Sequence, residues 1–329
     1  MVARRAMTSA SGAPRVTAII TTYQPNFAFL RSAVASALAQ RIPVHVLVSD
    51  SGADDTVRRC VEEFGERITY RHNGHVVGPA ENHRRAIAEV RTPYFALLGY
   101  DDTWEPEFLE TLVPALDANP DCVLAFSDHW FMNMQGHVDV AVTDRMTAHW
   151  GRARLAAGRI DTQLACLSAQ TVPVAMSTLL RSEVAQRHPI PDESGAAYDL
   201  WLHYAMATER RPYWYSPARL TRWRFHDAGG TATGNPDWYR GAAFTWDAVL
   251  SDPQFSTIHH TASHRSAVAW LALSKALLRR GAARTAVVEA AQCSWRHERG
   301  VQSWILSRWP ELFRVLRTAR RTVSGRASP

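Results

Sequence analysis

The first 130 residues alternate between short apolar runs and segments of helical periodicity, and this alternation constrains the fold more than any other feature. The apolar runs, rich in β-branched residues, lie at residues 16–20, 44–48, 68–71, 94–98 and 123–126. Segments with apolar residues on one helical face separate them, at residues 27–38, 54–64, 80–90 and 107–116. Strands that alternate with helices at this spacing predict βαβ units and a mostly parallel sheet.

The second half of the chain has weaker patterns. Residues 132–160 show no strong period, residues 161–210 look helical in pieces, residues 213–215 and 220–225 predict strands, and residues 228–240 predict a loop. From about Thr261 to the end the pattern is helical and basic.

Composition excludes several classes of protein. The 329 residues include four cysteines that lie far apart without a CxxC pair, which argues against a zinc site and a disulfide framework. No apolar run approaches the roughly 20 residues that span a bilayer. The net charge is +6, with arginines concentrated near the C-terminus. No nucleic-acid-binding motif accompanies them, so we expect no nucleic-acid partner. The separated cysteines are typical of a reducing compartment, so we expect a cytoplasmic protein.

Polar and aromatic side chains follow three of the predicted strands. Thr21 to Tyr23 follow the first, Asp50 follows the second, and the pair Asp101-Asp102 follows the fourth. In an open α/β sheet, ligands bind at the carboxyl ends of the strands. A ring can stack on a planar base, one carboxylate can accept an N–H, and a pair can hold a hard divalent cation. Each piece alone is typical of a turn or helix cap, and the prediction depends on their order and spacing.

The motifs between residues 15 and 230 resemble the family 2 glycosyltransferases. The resemblance is carried by the stretches VTAIITTYQPN, VLVSDSGADDT, GPAENHRRAIAEVRTPYFALLGYDDTWEP, YDLWLHYA and RLTRWRFH. It implies an α/β fold of the GT-A type, with a Rossmann-like, mostly parallel sheet flanked by helices and here a C-terminal helical extension. It also implies metal-dependent transfer of a sugar from a UDP- or dTDP-sugar to an acceptor hydroxyl, more often with inversion than with retention.

The resemblance assigns the donor-binding residues by position. Thr21 and Tyr23 would line the base pocket, with Tyr23 against the ring. Asp50 would accept the pyrimidine N–H, and Asn82 would face the ribose or the sugar.

The same resemblance assigns the metal site. Asp101 would bind Mn²⁺ or Mg²⁺, Asp102 would support it or touch the donor sugar, and His226 would contribute to metal and diphosphate binding. The family often has a further Asp two residues before the metal-binding carboxylate, where this chain has Gly99. The chain therefore offers fewer acidic ligands.

The general base departs from the family pattern. Where the family has a Glu-Asp pair, this chain has Ala196 and Ala197. Asp199 is the nearest carboxylate left and is the predicted base, with Asp192 and Glu193 as further candidates. A base is required because a neutral hydroxyl is a poor nucleophile. The alternative is a catalytically impaired sugar-nucleotide-binding module that acts as a partner protein.

We expect four parts along the chain. They are a mobile tail at residues 1–14, a nucleotide-sugar-binding half at 15–130, an acceptor-binding half at 131–240 and a helical region at 241–329. The acceptor would be a carbohydrate or a natural product. The basic C-terminal helices would pack on the catalytic domain, form a homodimer or contact the inner membrane face peripherally.

Overall fold

The computed structural model describes residues 12–225, 234–311 and 313. The fold is α/β, as predicted, and is built on one curled sheet flanked by helices. Most of the N-terminal tail, the arginine-rich residues 314–329 and His226 lie outside the described residues. No helix among the residues described is long and apolar enough to cross a bilayer.

The sheet contains nine strands within the described residues. They are β1 (Val16–Thr22), β2 (Val44–Asp50), β3 (Ile68–His72), β4 (Tyr94–Leu97), β5 (Thr103–Trp104), β6 (Leu124–Met132), β7 (Gly158–Ile160), β8 (Thr178–Arg181) and β9 (Tyr213–Arg224).

The strand order is β3-β2-β1-β4-β8-β6-β9-β5, and β7 pairs with β9. The strands β3, β2, β1 and β4 are parallel to one another, as βαβ units require. Next to them, β8 runs antiparallel between β4 and β6, while β6 and β9 are parallel. The carboxyl ends of β1, β2 and β4 therefore share one edge of the sheet.

Helices connect and flank these strands. Their bounds are α1 (Phe27–Leu38), α2 (Thr56–Val61), α3 (Pro79–Glu89), α4 (Phe108–Ala118), α5 (Val140–His149), α6 (Gln163–Ala169), α7 (Ser182–Gln186), α8 (Tyr198–Thr208), α9 (Pro236–Ser251), α10 (His259–Arg279), α11 (Arg284–His297) and α12 (Val301–Arg308).

The sequence predictions for the second half need correction at four places. The two strands predicted after residue 212 form one strand, β9, with a register shift near Pro217 that tolerates the proline. Helix α5 lies in the segment whose sequence shows no helical period. Only Thr143 of that helix is buried, so the helix does not require an apolar face. Strand β8 interrupts a segment predicted as helical pieces. Helix α9 begins at Pro236, inside the predicted loop.

The chain divides into two compact units. The first contains residues 12–189 and 205–225 of those described, with the whole sheet, and the second contains residues 190–204 and 234 onward. In the first, Ile20 and Val48 of the sheet belong to the same buried cluster as Leu30 and Leu112 of the helices. Burial of each such side chain stabilises the fold by about 1.5–3 kcal/mol.

The second unit has a core of its own. Helices α10, α11 and α12 contribute Leu278, Val287, Ala291 and Leu306, which pack together. The C-terminal helical extension predicted from the sequence is confirmed for these described residues. The domain boundaries predicted from the sequence stay predictions.

Candidate functional site

The carboxyl ends of β1 and β2 lie side by side around Asp50. Thr22 and Asp50 are register partners, and the Thr22 hydroxyl donates a 2.9 Å hydrogen bond to Asp50 Oδ1. The Gly52 N–H also donates to Oδ1 at 2.9 Å, and the Tyr70 hydroxyl donates to Oδ2 at 2.9 Å. Asp50 is fully buried. Three donors therefore compensate its buried carboxylate and fix its orientation at the edge of the sheet.

Asn82, in the first turn of α3, joins the same strand ends. Its Oδ1 accepts hydrogen bonds from Ser49 Oγ at 2.7 Å and Asn73 Nδ2 at 2.9 Å. Its Nδ2 donates to the carbonyls of Ser49 and Thr22 at 3.2 and 3.4 Å. The buried amide thus connects β1, β2 and α3, and its predicted contact with the ribose or sugar stays a prediction.

Asn73 is a polar residue at this edge that the sequence reasoning missed. Its Nδ2 donates to the carbonyl of Asp50 at 3.0 Å, while its buried Oδ1 has no hydrogen-bond partner in the described part of the chain. The signal was available, since Asn73 directly follows β3 as Asp50 ends β2. A buried acceptor without a partner is suited to an N–H of a ligand.

Thr21 contacts His83 of α3. The ring Nδ1 lies 2.8 Å from the Pro79 carbonyl, which only accepts, so Nδ1 carries the proton. The other ring nitrogen, Nε2, then accepts from the Thr21 hydroxyl at 3.0 Å. Burial lowers the pKa of His83 to about 4, although the hydrogen bond to Pro79 opposes this. The ring is therefore neutral at neutral pH.

Tyr23 follows β1 at the same edge and is 51% exposed. An exposed aromatic ring beside a buried carboxylate is available to stack on a planar ligand. Its stacking role stays a prediction.

The acidic pair follows β4 in a tight turn. Asp102 is buried, and its Oδ1 accepts a 2.8 Å hydrogen bond from the Arg224 N–H. Burial and the negative charge of Asp101 raise the pKa of Asp102 well above its usual range, and Arg224 opposes this effect. Asp101 is partly exposed. One carboxylate is thus held inside the turn and the other is more open to solvent.

Steric crowding in this turn favours glycine at position 99. A Cβ atom at Gly99 would lie 2.6 Å from Asp102 Oδ2 and 3.0 Å from Asp101 Oδ1. Both carboxylates therefore reach the space that a side chain would fill. A side chain at the position of the family's additional Asp would therefore require these two carboxylates to shift.

Arg224, at the end of β9, holds the acidic turn in place. Its Nε donates to the Asp101 carbonyl at 2.8 Å, and its Nη1 donates to the carbonyls of Asn133 and Met134, both at 3.1 Å. The guanidinium also lies over the ring of Phe29, with Cζ 4.2 Å from the ring centroid. These contacts join the turn to α1 and to the segment after β6.

The pair Asp101 and Asp102 fits a divalent cation that arrives with a phosphate ligand. Within the described ranges, no group of three or more His, Cys, Asp or Glu residues is placed to hold a metal ion. Mg²⁺ and similar cations commonly use one or two carboxylates and complete their shell with substrate phosphates and water. A cation would also offset the mutual repulsion that raises the pKa of Asp102. His226 lies outside the described residues.

Asp199 belongs to the second unit, in the first turn of α8. It is partly buried, and burial raises the pKa of its carboxyl to about 6, although the Leu200 N–H and its own backbone lower it. A carboxylate with a pKa near neutral is better suited to accept a proton than an ordinary Asp. The other two candidates, Asp192 and Glu193, are exposed.

Asp237, at the start of α9, is a further carboxylate in this unit, which the sequence reasoning missed. Its Oδ2 accepts from the Ala196 N–H at 2.8 Å, and a Cβ at Gly195 would lie 2.6 Å from its Oδ1. Farther along α9, a Cβ at Gly241 would lie only 1.8 Å from the carbonyl oxygen of Ser194. Helix α9 therefore packs directly on the backbone of residues 192–197.

The structure brings six of the predicted residues together in the first unit, at or just beneath the carboxyl edge of the sheet. They are Thr21, Tyr23, Asp50, Asn82, Asp101 and Asp102.

Comparison with known proteins identifies the family of part of the chain. The model of the family described as glycosyl transferase family 2 matches residues 17–138. The uncharacterized protein y4gI of Sinorhizobium fredii (strain NBRC 101917 / NGR234) is 28% identical over 123 residues, which are 35% of this chain and 13% of that protein. The chain thus matches only a small part of the length of that relative.

Solved structures share the fold at low sequence identity. Residues 1–349 of S. aureus TarS superpose with a TM-score of 0.61 at 13% identity, covering 86% of this chain and 80% of that one. Their complex with UDP-GlcNAc gives a TM-score of 0.60 at 12% identity, with coverages of 85% and 83%.

A third solved structure shares the fold. The mannosyltransferase PcManGT of Pyrobaculum calidifontis, in complex with GDP-Man and Mn²⁺, gives a TM-score of 0.59 at 15% identity. That match covers 92% of this chain and 89% of the mannosyltransferase. The predicted fold is confirmed, and the predicted family is confirmed for the residues that the family model matches. Residues 17–138 belong to glycosyl transferase family 2, and the chain has the GT-A fold of glycosyltransferases.

Proposed function

We propose that this protein transfers a sugar from a UDP- or dTDP-sugar to an acceptor hydroxyl, with the help of a divalent cation. The observation that carries the proposal is the shared edge of β1, β2 and β4. There the buried Asp50 ends β2, the exposed Tyr23 follows the neighbouring strand β1, and the pair Asp101-Asp102 follows β4 on the other side of β1. These side chains suit the two ends of a nucleoside diphosphate, the base and the phosphates.

For the base of the nucleotide, Asp50 and Asn73 supply hydrogen-bond acceptors, and Tyr23 supplies an aromatic ring on which the base can stack. The free Oδ1 of Asn73 and the carboxylate of Asp50 suit the N–H of a pyrimidine. At the phosphate end, Asp101 and Asp102 would hold Mn²⁺ or Mg²⁺. When bound, the cation would neutralise charge on the leaving diphosphate.

The transfer itself requires a general base that deprotonates the acceptor hydroxyl. Asp199 takes the proton of the acceptor hydroxyl as its oxygen bonds to the anomeric carbon. The bond from that carbon to the diphosphate breaks, and the nucleoside diphosphate leaves with the electron pair. A direct displacement of this kind inverts the anomeric centre. We assign the nucleotide to residues 15–130 and the carbohydrate or natural-product acceptor to residues 131–240.

The second candidate function is a sugar-nucleotide-binding module without transfer activity. It is favoured by Ala196 and Ala197, since Ala197 is buried and neither residue has a carboxylate. Such a module would bind the donor and act through a partner protein.

A panel of nucleotide sugars separates the two functions. We would measure thermal stabilisation and release of free nucleotide with UDP-, dTDP- and GDP-sugars, each with Mn²⁺ and with EDTA. A donor at a hundred times its dissociation constant adds about 2.7 kcal/mol to stability. Stabilisation and release that both require Mn²⁺ support the enzyme. Stabilisation without release for any acceptor supports the binding module, and the absence of both would reject the donor site.

The C-terminal helices are assigned to contacts outside catalysis. Val301 is 72% exposed and Trp309 is 50% exposed, while Arg308 lies over the ring of Trp304. Exposed apolar and basic side chains of this kind suit a homodimer or the inner face of a membrane. Both assignments, and a cytoplasmic location, are predictions.

A further inference from the structure

Helix α12 of the second unit has apolar side chains on two faces. On the inner face, Leu306 is fully buried in the core that α10, α11 and α12 share. Residues three or four positions apart lie on the same side of a helix, which defines a second, outer face. The outer face carries Val301, Trp304, Ile305 and Arg308. The core of the unit therefore accounts for Leu306 but not for the apolar residues of the outer face.

The outer face is open to solvent. Val301 is 72% exposed, and Trp304 and Ile305 are partly exposed. Trp309, which directly follows the helix, is 50% exposed and meets Trp304 edge to face, with ring centroids 5.2 Å apart. These four residues form an apolar stripe, which we call the α12 stripe. Exposed apolar side chains that lie together mark contact sites for proteins or membranes.

Arginines accompany the tryptophans. The Arg308 guanidinium lies over the ring of Trp304, with Cζ 5.0 Å from the centroid, and Arg299 lies over Trp295 at the same distance. Arg308 donates to the Ser307 hydroxyl at 3.4 Å, and neither guanidinium is paired with a carboxylate in the described part of the chain. Their charges are thus available to the phosphate groups of a lipid surface.

The charge of the chain is distributed unevenly along the sequence. Residues 259–329, which begin at α10, contain 13 lysines and arginines but only three glutamates and no aspartate. They carry +10, whereas residues 1–258 carry −4, so that the whole chain has +6. Five of these arginines belong to residues 314–329, outside the described residues. Two copies that met at the α12 stripe would bring like charges together, whereas an anionic surface would attract them.

We propose that the α12 stripe docks on the surface of a bilayer that contains anionic phospholipids. Of the two contacts suggested above for these helices, the distribution of charge favours the membrane. Tryptophan rings prefer the headgroup level of a bilayer, and arginines beside them can bind lipid phosphates. Helix α12 has eight residues, or about 12 Å, so it would lie along the surface. The proposal does not depend on the donor site or on sugar transfer.

The test is co-sedimentation of the full chain with lipid vesicles, without nucleotide. One set of vesicles is phosphatidylcholine alone, and the other is equal parts of phosphatidylcholine and phosphatidylglycerol. We expect binding to the anionic vesicles to be at least tenfold tighter, and to weaken as salt screens the arginines. Equal binding to both sets, or binding to neither, would overturn the proposal.

Val301→Asp tests the apolar part of the contact. Val301 is the first residue of α12, where the helix dipole favours an acidic side chain, so the variant should fold. Vesicle binding should weaken at least tenfold, because a charge replaces apolar surface in the stripe. Val140→Asp is the matched control, since Val140 is the first residue of α5 and is 54% exposed. If the two variants bind vesicles equally, the stripe is not the contact.

The double variant Arg299→Gln/Arg308→Gln tests the charged part of the contact. Each cation near an anionic surface contributes about fivefold in affinity, so binding should weaken by about 25-fold. Arg58→Gln/Arg59→Gln, at two exposed residues of α2, lowers the net charge by the same amount and is the control. Equal binding by the two double variants would reject a lipid contact at Arg299 and Arg308.

Sedimentation velocity without lipid tests the competing occupant, a second copy of the chain. We expect Val301→Asp to leave the oligomeric state unchanged. A dimer that dissociates in Val301→Asp would show that another copy covers the stripe, and would overturn the proposal. Thermal melting checks that each variant is folded.

Discussion

The Oδ1 atom of Asp102 accepts a 2.8 Å hydrogen bond from the backbone N–H of Arg224, 122 positions later in the chain. This contact joins the turn after β4 to the end of β9. Because the donor is a main-chain group, no change of side chain at position 224 removes it, except proline. Asp102 is therefore held from inside, while Asp101 is left more open to solvent and to ligands.

The two carboxylates should differ on substitution. Asp101→Asn should abolish Mn²⁺-dependent donor binding while the protein stays folded, because the more open carboxylate is lost. Asp102→Asn keeps an oxygen for the Arg224 N–H and removes a buried charge whose ionisation is disfavoured. It should preserve or raise stability and weaken activity less than Asp101→Asn does. Calorimetric titration with UDP and Mn²⁺ measures nucleotide binding by both variants. Unchanged Mn²⁺ dependence in Asp101→Asn would show that Asp101 does not bind the metal.

Gly99→Ala should disturb the acidic turn. The added Cβ would lie 2.6 Å from Asp102 Oδ2, and overpacking of this kind typically costs about 1–3 kcal/mol. Gly78→Ala is the matched control, because a Cβ there meets no atom within 4 Å. Urea unfolding compares the two. Equal stabilities would show that the turn adjusts without cost.

The proposed base pocket predicts a nucleotide preference. UDP and TDP should bind more tightly than GDP and ADP, because Asp50 and Asn73 offer acceptors at one edge of the sheet. Tyr23→Ala should weaken pyrimidine binding by about 1–3 kcal/mol, the usual effect of losing a base–aromatic stack. Val140→Ala, also at an exposed apolar residue, serves as the control. Purine nucleotides that bind as well or better would rule the pocket out as described.

The raised pKa of Asp199 predicts how sugar transfer depends on pH. A base must be deprotonated, and burial raises the pKa of this carboxyl to about 6. The kcat/KM should therefore fall as pH decreases through about 6 and level off above it. Asp199→Asn should lower turnover by about 10²–10⁴-fold and abolish this limb of the profile.

Asp237→Ala separates catalysis from support of the fold. It removes the acceptor for the Ala196 N–H, so stability should fall while the limb near pH 6 remains. If Asp199→Asn keeps normal turnover and Asp237→Ala loses the limb, the base is Asp237.

The lowered pKa of His83 predicts that the protein loses stability in acid. Its pKa is about 4 in the folded protein against 6.5 ordinarily, so the unfolded chain binds the proton first as pH falls. The contribution of His83 to the free energy of unfolding is fully present above pH 6.5. It decreases between pH 6.5 and pH 4, by up to about 3 kcal/mol. Urea unfolding of His83→Gln at pH 7 and pH 4.5 should show a smaller difference than the parent. The exposed His75→Gln should match the parent.

Sequence patterns located the proposed donor edge because local residue order determines which side chains follow each strand. Each β-branched run is bounded by a turn, and the side chains that follow the runs meet wherever the strands are parallel. Thr21, Asp50 and Asp101 were found in this way. Asn73 follows the same rule after β3, and it was missed because β3 is short and largely unburied.

Other parts of the site depend on contacts between distant segments. No local pattern in the turn after β4 reveals that Arg224 holds it, or that Gly99 makes room for two carboxylates. Asp237 contacts Ala196 across 41 positions. The buried Asp128 likewise accepts hydrogen bonds from Arg152 and Arg219, which lie on separate elements and are each typical of a surface arginine when the sequence is considered alone.

The close approach of Gly241 to the carbonyl of Ser194 has a consequence for engineering. Helix α9 cannot be replaced beside residues 192–197 by a helix that lacks glycine at position 241, because any side chain there would collide with the carbonyl of Ser194. The loop and the first half of α9 form one transplantable module, and chimaeras intended to change acceptor specificity should move both together.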